Sequence, residues 1–329
     1  MGARRALSNA ALRLARTSAA ERVAGGLERV DRRSARMLTV LTYHRVDEPG
    51  ARPQLDPALL SAAPREFERQ IAHVAARHRP LSLSELLAIR RGEAELPARA
   101  VLVTFDDAYR DFAEHAWPVL RRHGVPATLF VPTAYPGDRS RRFWWDRLHA
   151  AFSKEGQTLF RNALEAHRRA SRRVSALPHA EAMRLVDKLV SELGEVDPGD
   201  VVLSWDELRA LGTEGVALAA HTRTHPRLDR LPLDDAVAEV RGSLADLERE
   251  TGSAAAAFAY PEGAYADAVV RTLADEGVEV AFTTDRGVND VRRPDWLRLR
   301  RINVGRRSSV GAISLQVLAS ARFARGAAA

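Results

Sequence analysis

Two carboxylates stand side by side at Asp106-Asp107, and two imidazoles stand four residues apart at His221 and His225. A third histidine, His44, closes the run Leu41-Thr42-Tyr43. Each piece alone is ordinary. Adjacent aspartates commonly make a turn or cap a helix, and a surface histidine pair commonly binds nothing. Together they suit one chemistry. Two imidazoles and one carboxylate are the three protein ligands of an open catalytic zinc site, whose fourth position takes water. The second carboxylate is then left over for proton transfer. The chain has no cysteine, which excludes thiolate zinc sites, iron–sulfur clusters and cysteine nucleophiles.

Such groups act together only if the fold brings them to one place. Seven short β-rich runs are spaced along the chain: Met37–Tyr43, Ala100–Phe105, Ala127–Val131, Val216–Ala220, Ala255–Ala259, Val280–Thr283 and Leu299–Val304. Most are continuously apolar, as strands buried on both faces are. Helical patterns lie between them, at Pro64–His78, Arg110–His123, Leu233–Glu250 and Tyr265–Glu276. This alternation predicts an α/β fold with a parallel sheet, and seven strands over about 290 residues predict a closed (β/α) barrel. Barrel enzymes place their chemistry where strands end. Here His44, Asp106-Asp107, His221, Tyr260-Pro261 and Thr284-Asp285 all follow predicted strands.

In these residues the chain resembles the polysaccharide deacetylases of carbohydrate esterase family 4, which carry the NodB-homology domain. The first family motif stands as Thr104-Phe105-Asp106-Asp107, the second as His221-Thr222-Arg223-Thr224-His225, and the third as Tyr260-Pro261-Glu262-Gly263. The resemblance runs from about Leu38 to Val304. It implies a distorted (β/α)7 barrel holding a divalent metal, usually Zn2+. It implies Asp107, His221 and His225 as the ligands and Asp106 as the general base, with Tyr260 and Pro261 on the substrate side. The implied activity is metal-dependent removal of N-acetyl groups from amino sugars of a polysaccharide or its lipid-linked precursor.

The chain departs from the family pattern twice. Most members supply the general acid from a late histidine, but no histidine follows His225. His44 is the natural replacement. It resembles the early Tyr-His motif of the subgroup that deacetylates exported poly-N-acetylglucosamine. The arginine that usually precedes the third motif is replaced by Ala259. Arg300 or Arg301 could reach the same mouth, and strand alternation lets only one point inward. Arg301 is the favoured one; the plain alternative is a surface arginine.

About 85 residues separate Val131 from Val216, far more than the roughly 30 of a βαβ unit. A helical insertion over about 135–203 is therefore expected, with Trp144-Trp145-Asp146 inside it. Trp145 could stack on a sugar ring, although pinning the insertion to the barrel is the commoner role of such a side chain. The barrel with its insertion is expected over 37–310, followed by a tail at 311–329.

The chain of 329 residues carries +7, and residues 1–36 hold nine arginines against three acids. Only +1 is left for the body, so a nucleic-acid partner is not expected. Leu7, Ala10, Ala11 and Leu14 share a helical face in this leader, a pattern that suits peripheral contact with an anionic membrane. The leader lacks the apolar core of a signal peptide, and no segment is long and apolar enough to span a membrane, so a cytoplasmic, membrane-associated enzyme is expected. Two competing readings remain: a deformylase or amidase on a related amide, and an inactive carbohydrate-binding protein.

Overall fold

The computed structural model describes residues 36–153 and 161–323. The predicted leader helix lies outside them. Seven parallel strands form the barrel: β1 (Met37–Tyr43), β2 (Ala100–Phe105), β3 (Thr128–Val131), β4 (Ala217–Ala220), β5 (Ala257–Ala259), β6 (Val280–Arg286) and β7 (Leu299–Asn303). They pair in chain order, and β7 closes the ring on β1 through Leu41↔Ile302 and Thr42↔Asn303. The barrel is distorted. β4 meets β5 at a single register pair, Ala220↔Phe258, and the β6–β7 register shifts between Leu299 and Arg301. Each expected strand is present, because runs such as Ala100–Phe105 are buried at every position and only a doubly covered strand can bury them.

Helices cover the outside. α1 (Pro64–Arg77) starts on Pro64, whose missing N–H costs nothing in the first turn, and buries Phe67, Ile71 and Val74. α2 (Leu83–Arg91) begins with a capping box between Ser82 and Glu85. The expected helix Arg110–His123 is instead split. Phe112–Ala116 is a π turn, and α3 follows as Trp117–Arg122. Pro118, in its first turn, has no N–H to offer and its ring crowds the preceding turn. The Trp117 N–H reaches back to the Phe112 carbonyl, the wider spacing of a π-bulge.

The insertion contributes α4 (Trp144–Ser153), α5 (Arg161–Ala176) and α6 (His179–Leu193), which share a small core of Ala151, Val174, Ala182, Val186 and Val190. Its return leg is stitched to the loop after β2. The Arg110 N–H donates to the Val201 carbonyl at 2.7 Å, and the Leu203 N–H to the Ala108 carbonyl at 3.0 Å. α7 (Trp205–Thr213) then leads into β4, α8 (Leu233–Thr251) into β5 and α9 (Asp267–Asp275) into β6. The expected tail is helical in part: α10 (Val310–Phe323) buries Ala312 and Ile313. Among the described residues no helix is long and apolar enough to cross a membrane.

Candidate active site

The carboxyl ends of the strands converge on one mouth, and the turns there are bent into unusual backbone. Asp107, Ala108, Thr222, His225 and Glu262 all have positive φ, between 52° and 73°. Such conformations cost a non-glycine residue free energy and persist where surrounding structure enforces them. At the third motif glycine is required: a Cβ on Gly263, at φ +70°, would lie 2.1 Å from Thr284 Oγ1 and 2.5 Å from its nitrogen.

Asp106 directly follows β2 and is buried. Arg301 reaches it from β7 with two parallel hydrogen bonds, Nη1 to Oδ1 and Nη2 to Oδ2, both 2.8 Å. The Arg301 Nε donates to the Thr283 carbonyl at 2.7 Å, and the guanidinium lies over the Phe130 ring. Its neighbour Arg300 faces outward. Burial alone would raise the Asp106 carboxyl. The Arg301 charge, with His221 and His44, instead holds it well below the usual carboxylate range. His44 Nε2 stands 4.0 Å from Asp106 Oδ2. Burial pushes the His44 imidazole down, against the pull of Asp106.

Asp107, His221 and His225 offer one ligand atom each within 4.8 Å of one another. Asp107 Oδ1 lies 3.7 Å from His221 Nε2 and 3.3 Å from His225 Nε2. His221 Nδ1 donates to the Ala259 carbonyl at 2.7 Å. That bond fixes the tautomer and leaves the Nε2 lone pair facing Asp107. Burial pushes His221 down to about 4, and burial with the His221 charge lowers His225 well below its ordinary value. Both imidazoles are therefore neutral, the form that ligates. Asp107 Oδ1 is buried without a hydrogen-bond donor. Burial, then the charges of Asp106 and Asp146, pushes the Asp107 carboxyl well above its ordinary range. An orphaned carboxylate oxygen facing two neutral imidazoles is a donor set that fits a divalent cation.

Residues 93–281 match the polysaccharide deacetylase family, more than half of the chain. The chain belongs to that family. A polysaccharide deacetylase is metal-dependent, and the Asp107–His221–His225 group could bind a metal. Curated relatives include the poly-beta-1,6-N-acetyl-D-glucosamine N-deacetylases of Escherichia coli K12 and Staphylococcus aureus MSSA476. The first is 28% identical over 108 residues, 31% of this chain and 15% of that protein. The second is 31% identical over 81 residues, 24% of this chain and 28% of that protein. The chain thus matches less than a third of either. Among solved structures, the Streptococcus pyogenes deacetylase PplD in complex with acetate shares the fold. It has a TM-score of 0.61 and 19% identity over 85% of this chain and 98% of that one.

Within this polysaccharide deacetylase barrel the other expected residues fall differently. Pro261 is buried at the turn after β5. Tyr260, expected on the substrate side, is fully buried in the cluster under α8 and α9, and its hydroxyl donates to the Leu297 carbonyl at 2.9 Å. An aromatic ring after a strand can turn outward into the helix layer as readily as over the mouth, and spacing does not separate the two. Trp145 is 8% exposed, stacks on Phe143 with ring centroids 4.5 Å apart, and stands edge-on to His225 at 4.9 Å.

Behind these rings lies a buried polar chain to which the sequence reading gave no role. Trp145 Nε1 donates to the Tyr109 hydroxyl at 2.8 Å, and that hydroxyl donates to Asp146 Oδ2 at 2.7 Å. The Asp56 N–H donates to Asp146 Oδ1, and burial pushes Asp146 up to about 7. Arg45, next to His44, pairs with Asp111 at 2.8 Å and lies over the Tyr109 ring. The available signal was position: Arg45 follows His44, Tyr109 follows the aspartate pair, and Asp146 follows Trp145.

Proposed function

We propose that the chain is a metal-dependent N-deacetylase that removes acetyl groups from amino sugars of a polysaccharide or its lipid-linked precursor. The observation that carries this reading is one carboxylate clamped by arginine beside a second that faces two neutral imidazoles. Asp107, His221 and His225 would hold the cation, and two imidazoles with one carboxylate favour Zn2+. When bound, the metal supplies a Lewis acid for the amide carbonyl and a water acidified toward neutral pH.

The remaining work falls to the chain. Asp106, ionised and fixed by Arg301, accepts a proton from the attacking water. Because Arg301 holds its pKa down, Asp106 keeps that proton weakly. His44, 4.0 Å away, takes it and delivers it to the departing amine, which leaves poorly unless protonated. Phe143 and Trp145 wall the mouth on the His225 side and exclude water there.

The test is metal content of the purified full chain, followed by release assays on a panel of N-acetylated oligosaccharides. Acetate release that stops on chelation and returns with Zn2+ is the expected result. Formate or ammonia release from other amides would move the chain to another amide hydrolysis. Neither metal nor release, with the fold intact, would favour a carbohydrate-binding protein. The arginine-rich leader fits peripheral contact with an anionic membrane; loss of vesicle binding on deleting residues 1–36 tests that separately.

A further inference from the structure

A cleft of about 1260 Å³ opens at the carboxyl ends of β6 and β7 and runs between α5 and α10. Arg301, which grips Asp106, lines it, so the cleft adjoins the candidate site. Six more arginines line it from three segments: Arg168 and Arg172 on α5, Arg286 on β6, and Arg300, Arg306 and Arg307 on the neighbouring strand β7 and just beyond it. All six are exposed, and none has an acidic partner among the described residues.

Many surface arginines elsewhere are paired. Arg110 meets Asp200 and Glu207, Arg142 meets Asp197, and Arg298 meets Asp267 and Asp295. The acid on the cleft wall, Asp56, accepts from the Ala58 N–H and lies 4.0 Å from His167. Six cations around one opening repel one another and raise the local concentration of anions, and a bound anion relieves that repulsion. One guanidinium suffices for a planar carboxylate, as Arg301 shows with Asp106. Guanidinium groups arriving from three segments suit a tetrahedral, multiply charged group that offers oxygens in several directions. Ala312, Leu315 and Ala319 of α10 add an apolar strip beside them.

We infer that this cleft binds a phosphate or diphosphate carried by the amino-sugar substrate, so that the anion sits among the arginines while the amide lies at Asp106. The inference rests on the deacetylase reading, and its test separates the two.

Binding of inorganic diphosphate to the full, metal-loaded chain is measured by calorimetry at two salt concentrations. Wild type is compared with the double variants Arg168→Ala/Arg172→Ala and Arg306→Ala/Arg307→Ala. Saturable binding that weakens with salt is expected, reduced at least about tenfold in each double variant, the fold-change of one lost charge-assisted hydrogen bond. Acetate release is then compared for chitotetraose and chitotetraose 1-phosphate. The wild-type kcat/KM ratio should favour the phosphorylated sugar about tenfold or more, and fall toward one in both variants. A prenyl diphosphate-linked N-acetylglucosamine in micelles distinguishes the source. Faster turnover than the soluble phosphate assigns the anion to a lipid carrier, and equal turnover to a phosphorylated glycan. A wild-type ratio of one without diphosphate binding overturns the inference and leaves deacetylation standing. Diphosphate binding without release from any substrate overturns the deacetylase reading instead.

Discussion

Arg301 holds both oxygens of Asp106 at 2.8 Å while its own Nε is tied to the Thr283 carbonyl at 2.7 Å. The carboxylate therefore has one orientation, fixed from the last barrel strand. The third motif has Ala259 where the family usually has arginine, and Arg301 supplies the guanidinium from elsewhere on the rim.

Replacing Arg301 by methionine would leave Asp106 a buried charge without its partner. Breaking one side of a buried pair costs about 3–5 kcal/mol. The Asp106 pKa is lowered in the folded state. Its pairing therefore stabilises fully above the unfolded carboxylate pKa of about 4 and is lost as pH falls below it. Urea unfolding at neutral pH should show the full gap between wild type and variant, and the gap should close in acid. A gap independent of pH would assign the effect to packing. Arg301→Lys, which keeps the charge without the fork, should still lose on the order of 100-fold in kcat through misplacement of the base.

Chelation should lower the unfolding temperature of wild type, because a ligand that binds only the folded state adds about 2.7 kcal/mol at a concentration of 100 Kd. In Asp107→Asn and His221→Ala the shift should vanish along with the stoichiometric metal. Metal analysis beside a melting curve checks both, and an undiminished shift in these variants would move the cation elsewhere.

His44 must be neutral to receive a proton from Asp106, and burial lowers its pKa from the ordinary 6.5. The acid limb of kcat/KM should accordingly have its midpoint below pH 6.5. His44→Gln should cost on the order of 100-fold or more at neutral pH and abolish that limb. Near wild-type turnover in the variant would remove His44 from proton transfer.

Gly263→Ala should destabilise the chain by more than about 1 kcal/mol. The new methyl group would meet the Thr284 backbone as well as its hydroxyl, and backbone cannot step aside. The loss should appear as a lower melting temperature and a weakened turn between β5 and β6. An unchanged melting temperature would show that the turn relaxes freely.

Sequence alone placed the barrel strands and brought Asp107, His221 and His225 to one mouth, because buried parallel strands are continuously apolar and their ends carry polar residues at fixed positions. It went wrong where backbone geometry overrides periodicity. The π turn at Phe112–Ala116 answers to a single proline, and the amphipathic spacing passes through it unbroken. The Tyr260 ring, expected on the substrate side, turns into the helix layer. The Tyr109–Asp146 bond spans 37 positions and crosses into the insertion, so no local pattern announces it. The arginine cleft was hidden for the same reason: it joins α5 to the distant stretch from β6 to just beyond β7 in an arginine-rich chain.

Trp145 decides between two roles that sequence left open. Its ring is 8% exposed, packed between Phe143 and His225, and its Nε1 donates to Tyr109. A sugar platform would present a face to solvent, whereas this ring is buried, packs at a steep angle against a metal-ligand candidate and anchors α4. Trp145→Ala should therefore cost about 3–5 kcal/mol of stability, as truncation of a buried tryptophan does. It should also weaken metal retention, because support around a ligating histidine is worth 10–100-fold in affinity. Trp145→Phe keeps most of the packing but leaves the Tyr109 hydroxyl without its donor, and should fall between. KM for chitotetraose should change less than stability in both. A raised KM with unchanged melting temperature and full metal content would reverse the assignment and put the ring under the sugar.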